Sequence, residues 1–313
     1  VPVSTYGGSC STADMDYDSL DFFTISAVDS AGLKGESFYV DNFPYLRGRG
    51  GLVSGGGGGN ARFSGGGGGS NEGRGGAGGF EAESCSTPGN PLGGRGGFRI
   101  GYTNQSFSQL YNRIFMGGGG GTSTQDPGNG RNASPGGNGG GIIIIIADTI
   151  EGNGQTISAN GFSVDETNIS AGAGGGGGGG VIVLNSQSIT GTLNIEARGG
   201  NGGDVTGIPE WTGPGGAGGG GVIWYNGSLI EDNPDISNSI SGGQAGIVSG
   251  TGNSNGAFPG STGDRLGDLR IPIRGFLINN IPEAYMACEG TFPDTIAATR
   301  PVGGNGNFSY SWL

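Results

Sequence analysis

Histidine is absent from the 313 residues of the chain, and this absence removes several classes of enzyme at once. Because histidine moves protons near neutral pH and often binds zinc, serine-type catalytic triads and zinc hydrolases are excluded. Basic residues are also scarce, since 14 Lys and Arg stand against 26 Asp and Glu, for a net charge of −12. Nucleic acid is therefore not an expected partner, because binding it requires basic side chains that neutralise phosphates.

Long apolar runs and cysteines are also few. No apolar run approaches the roughly 18 to 20 residues that span a bilayer, so no membrane span is expected. Residues 1–10 lack the basic and apolar pattern of a signal peptide. The three cysteines, Cys10, Cys85 and Cys288, fit one disulfide and one free thiol. Alternatively, the third cysteine pairs with a cysteine that lies beyond the end of the chain. We favour a pair between Cys10 and Cys85.

Glycine dominates what is present. The 79 Gly and 14 Pro make up roughly 30% of the chain, and the lack of a strict every-third glycine excludes a collagen triple helix. A flexible linker is the alternative, but linkers mix Gly with Ser and do not alternate with apolar blocks. One such block is five consecutive isoleucines at positions 142–146, which we expect to be buried. The composition thus predicts an ordered scaffold built on glycine.

A repeat of about forty residues organises the centre of the chain. Its units share an order of poly-Gly run, apolar strand, polar turn and second short strand, and their apolar blocks begin at Ile142, Val181 and Val222, which are 39 and 41 residues apart. Because residues 181–184 are apolar at every position, both faces of the predicted sheet must be covered. The seven glycines that end at Gly180 are the predicted cover, since in polyproline II-like geometry they would extend about 22 Å.

These patterns predict an all-β fold in three parts. Residues 1–50 form an N-terminal β capping region, and residues 51–270 form a glycine-rich repeat domain. In that domain, parallel-type strands are sandwiched by bundled polyglycine II-like helices. Residues 271–313 are the third part, in which the glycine density falls and ordinary strand patterns return.

The last residues carry a resemblance to a known family. Residues 285–313 read YMACEGTFPDTIAATRPVGGNGNFSYSWL, with a Cys, a Pro-x-Gly-Gly-x-Gly turn and alternating Phe308, Tyr310 and Trp312. This order resembles the immunoglobulin-like and PKD-like repeats of giant Bacteroidota cell-surface proteins, including gliding-motility adhesins of the type IX secretion pathway. The resemblance implies that residues 271–313 begin an immunoglobulin- or PKD-like module that is incomplete. It also implies an extracellular location and a longer protein, whose stalk and secretion-anchoring parts lie beyond Leu313 and contact the secretion and surface-anchoring machinery.

One acidic cluster is a candidate calcium site. Asp14, Asp16 and Asp18 alternate along a short segment and are followed by Asp21, and such carboxylates can converge on a hard cation. The spacing does not fit an EF-hand, and a solvated acidic loop is the alternative. No other cofactor is expected.

The insertions between glycine runs supply the candidate ligand-binding residues. If successive runs go out and back, these insertions gather at one end of a rigid platform. Their aromatic residues could contact a glycan or protein receptor, or alternatively plug the ends of the scaffold. The candidates are Tyr111, Phe115 and Trp211, with the carboxylates of Asp165 and Glu210 in the same insertions.

Together these features predict a cell-surface adhesin whose N-terminal tip binds an extracellular glycan, surface or receptor through its loops. The alternative is a structural spacer or filament subunit without a ligand. Ice binding ranks lower, because a flat ice-binding face should carry regularly spaced Thr or Ala. An enzyme is not expected, since no motif fixes a pair of carboxylates across a pocket.

Overall fold

The computed structural model describes residues 31–37, 46–60, 63–80, 93–102, 113–125, 132–165, 172–206, 212–227, 230, 233–267 and 269. The chain divides into two compact units, Val1–Leu269 and Arg270–Leu313, and every described residue belongs to the first. These described residues include seven β-strands and no helix. The predicted module over residues 271–313, and most of the predicted capping region, lie outside them.

The strands form two parallel sheets. The first sheet has four strands in the order β1 (Ile142–Glu151), β3 (Val181–Thr190), β5 (Val222–Tyr225) and β7 (Asp264–Leu266). The second sheet has three strands in the order β2 (Gln155–Ser158), β4 (Leu193–Glu196) and β6 (Ile236–Ser239). Odd and even strands alternate along the chain, so each repeat adds one strand to each sheet.

The register of the first sheet follows the sequence repeat. Ile142 pairs with Val181, and Val181 pairs with Val222, so the three apolar blocks predicted as strands begin β1, β3 and β5. A tight turn connects β1 to β2, with Asn153 at φ 47° and Gly154 at φ 74°. Asparagine and glycine tolerate this left-handed backbone better than other residues, which is why the chain can reverse here in so few residues.

The main hydrophobic core lies between the two sheets. Ile182, Leu184, Ile223 and Tyr225 of the first sheet belong to one buried cluster with residues of the second sheet, among them Ile195. The prediction that glycine runs cover the strands is therefore wrong for this face, which is covered by side chains. The physical reason is that burying apolar side chains against each other removes more surface from water than glycine can cover.

The isoleucine block is only half buried, in contrast to the prediction. Ile143 and Ile145 pack partly against the core, whereas Ile142, Ile144 and Ile146 are exposed. The difference follows from the position of β1 at the edge of the sheet. Alternate side chains of a strand point to opposite faces, and at this edge only one face is covered.

The glycine runs form an ordered hydrogen-bonded bundle. Along residues 174–180, the N–H of Gly175 donates to Gly121 O (2.9 Å) and that of Gly178 to Gly118 O (2.8 Å), so donors to this neighbour are three residues apart. The residues between them donate to two other neighbouring segments. Gly176 and Gly179 donate to the segment around Gly216–Gly219, and Gly177 and Gly180 donate to the segment around Ala159–Phe162. Each of these three segments thus accepts hydrogen bonds from every third residue of the run.

The same run also accepts hydrogen bonds from three further segments. Gly137 donates to Gly175 O (2.8 Å), Gly69 to Gly176 O (2.8 Å) and Gly200 to Gly177 O (2.8 Å). The run therefore has six neighbours, and all seven of its glycines are buried. Such contact leaves no room for side chains, since a Cβ added at Gly177 would lie well under 3.0 Å from the carbonyl oxygen of Asn138.

The described part of the predicted capping region belongs to this bundle. Gly32 donates to Gly59 O (2.8 Å), and Gly35 donates to Gly56 O (2.7 Å). On the other side, Gly119 donates to Glu36 O (2.9 Å). Residues 32–36 therefore lie between two glycine runs.

Candidate functional site

The segments that follow β2, β4 and β6 are hydrogen-bonded to each other, as the strands are, but the donors have a different spacing along the chain. The N–H of Gly161 donates to Arg198 O (2.8 Å), and the N–H of Val164 donates to Asn201 O (3.0 Å). These donors are three residues apart, whereas donors from one strand to one neighbour are two apart. The backbone thus changes from a two-residue to a three-residue repeat where the strands end.

A three-residue repeat places every third side chain on the same side of the segment. The register of the second sheet continues, so equivalent positions of the three segments lie next to each other. Most of the side chains at these positions are exposed polar groups. We call this surface the amide face; its two columns are Asn160, Arg198 and Ser241, and Ser163, Asn201 and Gln244.

Three side chains of the amide face complete the backbone hydrogen bonds of the next segment. The N–H of Arg198 donates to Asn160 Oδ1 (2.7 Å), and the N–H of Asn201 donates to Ser163 Oγ (2.9 Å). The N–H of Gln244 donates to Asn201 Oδ1 (2.8 Å). A side-chain oxygen here takes the place of a further backbone carbonyl. These bonds hold the side chains in fixed positions.

The charged residue of the amide face, Arg198, lies beside a glutamate. Arg198 Nη2 lies 2.7 Å from Glu196 Oε2, and Asn160 Nδ2 donates to the same oxygen at 2.9 Å. The arginine of the amide face therefore already has a carboxylate partner. Neutral polar groups, amides and hydroxyls, make up the rest of the face.

Two shallow grooves meet on this surface. One, of about 430 Å³, is lined by residues 139–141 and 158–163, and the other, of about 370 Å³, by residues from all three segments. Both are lined by Asn160, Gly161 and Ser163. The first is also lined by Phe162, whose side chain is exposed (64%) although its backbone bonds to Asn138 and to Gly177 of the bundle.

Phe115, a predicted ligand contact, packs instead within the protein. It is half-buried, its ring centroid lies 6.3 Å from that of Tyr102, and its N–H donates to the Tyr102 hydroxyl at 2.9 Å. Asn71 Nδ2 donates to Phe115 O at 3.2 Å. Burial raises the pKa of Tyr102 well above its usual range, and the negative charge of Glu72 acts in the same direction. This packing favours the alternative prediction, in which the aromatic residue plugs the scaffold.

Asp165 is exposed and lies two residues beyond Ser163, at the end of the segment that begins the amide face. No described contact brings it together with Phe115. The other predicted site residues lie outside the described part of the chain, and these are Tyr111, Glu210, Trp211, the acidic residues Asp14, Asp16, Asp18 and Asp21, and the cysteines Cys10 and Cys85.

Sequence reasoning did not predict the amide face. Single polar residues among glycines resemble a linker, so Arg198, Asn201 and Gln244 carried no signal on their own. The signal that could have found them is their spacing of three, seen in Arg198-x-x-Asn201-x-x-Asp204 and again in Ser241-x-x-Gln244.

Within the described ranges, no group of three or more His, Cys, Asp or Glu side chains could hold a metal ion. The same ranges have no helix of the length and apolar character needed to cross a membrane. No protein-family model matches the chain, and no curated protein or solved structure matches it either.

Proposed function

We propose that the chain is the glycan-binding tip of an extracellular cell-surface adhesin and that the amide face is its binding surface. The observation that carries the proposal is the meeting of two grooves beside an exposed phenylalanine, on a surface of amides and hydroxyls of which Asn160, Ser163 and Asn201 are held in position by backbone N–H groups. Rigid elements that present a few convergent polar groups are typical of ligand sites.

The scaffold in this proposal is a bundle of polyglycine II-like helices. Hydrogen bonding with a period of three, six neighbours around residues 174–180 and the absence of positive φ at those residues all support it. In the same proposal, residues 271–313 begin the immunoglobulin- or PKD-like stalk that their motif resembles. A scaffold held by backbone contacts suits an exposed tip, because it positions the surface side chains without loops.

A neutral glycan fits the amide face better than an acidic one. Amide side chains both donate and accept hydrogen bonds, as sugar hydroxyls require, and the ring of Phe162 can stack on the apolar face of a sugar. An anionic glycan would meet a chain with a net charge of −12. It would also have to compete with Glu196 for Arg198.

The test is binding of the full chain to an array of neutral and acidic glycans, followed by titration with the best neutral glycan. Phe162→Ala removes the exposed ring and should weaken binding about tenfold, which corresponds to about 1.4 kcal/mol. Gln244→Ala should also weaken binding, while the Gln244 backbone N–H keeps its bond to Asn201.

Phe258→Ala is the matched control for Phe162→Ala. The Phe258 side chain is also exposed (55%), its backbone also bonds within the bundle, and it lines neither groove. Binding should be unchanged in this variant. Equal losses in the two phenylalanine variants, or no saturable glycan binding by a folded chain, would refute the proposal and favour a spacer.

A further inference from the structure

The proposed glycan binding does not involve the outer edge of β1. β1 is the first strand of its sheet and has ten residues, and no other described strand pairs with its outer side. An open strand edge presents unpaired backbone donors and acceptors, which makes it a template for another strand. The sequence of β1, IIIIIADTIE, contains no Lys or Pro that would block such pairing.

The first residues of β1 are apolar and pair with buried residues of β3. Ile142 pairs with Val181 and Ile144 pairs with Val183, and both valines are at most 5% exposed. In β1 the same column of positions becomes exposed, with Ile142 at 39%, Ile144 at 55% and Ile146 at 64%. Ile142 and Ile144 therefore continue, in exposed positions, a column that is buried in the next strand. Ile146, which pairs with the half-buried Asn185, extends the stripe by one position.

The charges of β1 determine which partner fits. Asp148 and Glu151 lie in its second half, beyond the isoleucines. A second copy that pairs antiparallel, with Ile144 opposite Ile144, places Ile142 opposite Ile146 and Asp148 opposite Gly140 of the other copy. A shift to full overlap of the two strands would put Asp148 opposite Ile145, and a further shift would put the two Asp148 side chains opposite each other.

Head-to-tail stacking fits less well. Continuing the parallel register would set β7 of one copy beside β1 of the next, with Asp264 at the position next to Ile142. This arrangement places a carboxylate in the apolar column, and β7 offers only three residues for pairing. Antiparallel pairing instead joins isoleucine to isoleucine and closes on itself.

We infer that β1 is a self-association surface through which two copies pair antiparallel about a twofold axis at Ile144. The pairing joins the two four-stranded sheets into one continuous sheet and places the two isoleucine stripes side by side on one face, where each covers part of the other. The contact is isologous, since the same residues take part on both sides, so it produces a closed dimer.

The first test is the concentration dependence of the mass of the full chain by analytical ultracentrifugation. The unchanged chain should show a monomer–dimer equilibrium. Ile144→Asp puts two carboxylates opposite each other at the axis and should weaken dimerisation about 100-fold or more, because apposed like charges are strongly unfavourable. Ile144→Val should still dimerise, and the far-ultraviolet circular dichroism of both variants should match that of the parent chain.

The second test locates the axis with single cysteines. Ile144→Cys should form a disulfide-linked dimer under mild oxidation, since directly opposed residues lie within disulfide range. Ile146→Cys is the matched control, because this position is at least as exposed as Ile144 but faces residue 142 and not itself. The parent chain gives the background from its own cysteines. A chain that is monomeric at all concentrations, open-ended polymers, or equal cross-linking by the two variants would overturn the inference.

Discussion

The side-chain oxygen of Asn201 accepts a hydrogen bond of 2.8 Å from the backbone N–H of Gln244, the residue at the equivalent position of the next repeat. Ser163 makes the same kind of bond to Asn201 itself, at 2.9 Å. A polar side chain of one repeat therefore completes the backbone of the following one. The hydrogen bonds of the amide face thus stabilise the packing of successive repeats, in addition to the ligand binding that we propose for this face.

Replacing Asn201 tests the structural role of this hydrogen bond. Asn201→Ala removes the acceptor for the Gln244 N–H and should lower the free energy of unfolding by about 1 kcal/mol, whereas Asn201→Asp keeps the oxygen and should cost less. Hydrogen exchange at the Gln244 amide is the local measurement, and it should accelerate in the alanine variant alone. Equal exchange in both variants would mean that the bond does not protect this amide.

Replacing two glycines with alanine should give effects of opposite sign. At Gly177 a Cβ would lie well under 3.0 Å from Asn138 O, and the bundle must shift to accept it, at a cost of about 1 to 3 kcal/mol. At Gly141 a Cβ would meet nothing within 4 Å, so alanine should raise stability by about 0.4 to 1 kcal/mol through the unfolded state. Denaturant midpoints of Gly177→Ala and Gly141→Ala test this, and similar midpoints would count against close packing of the run.

The strands could be predicted from the sequence because their signal is local. The apolar blocks that begin at Ile142, Val181 and Val222 stand out against glycine, and their spacing gives the register of the first sheet. The covering of the strands could not be predicted in this way. Whether a glycine run or a second sheet covers Ile182 and Leu184 depends on contacts between distant segments, which periodicity does not encode.

The neighbours of each glycine run cannot be predicted from the sequence either. Gly175, Gly176 and Gly177 are chemically identical, yet they donate to three different segments, at Gly121, Gly216 and Phe162. The candidate site could not be predicted from the sequence for a related reason. Its residues are far apart in the chain and are brought together only by the three-residue repeat. The insertions between glycine runs instead favoured residues such as Phe115, which is half-buried against Tyr102.

The core between the sheets should respond strongly to truncation. Ile195 is fully buried between the sheets, so Ile195→Ala should lower the free energy of unfolding by about 2 to 5 kcal/mol. The same substitution at the exposed Ile247 should stay within about 1 kcal/mol. Thermal or chemical unfolding of the two variants checks this, and a small loss at Ile195 would indicate that the sheets do not rely on their shared core.

The buried hydroxyl of Tyr102 should make stability depend on alkaline pH. Because burial raises its pKa above the usual value of 10.0, the folded state keeps the proton while the unfolded chain releases it above that pH. Its contribution to stability is thus complete below pH 10 and should fall above it by up to about 1.4 kcal/mol per pH unit. Tyr102→Phe removes this titration and also the acceptor for the Phe115 N–H, so the variant should be less stable at pH 8. The stability gap between the two chains should narrow between pH 10 and 11.5 in chemical unfolding experiments, and a gap that stays constant would show that Tyr102 ionises as readily in the folded protein as in the unfolded one.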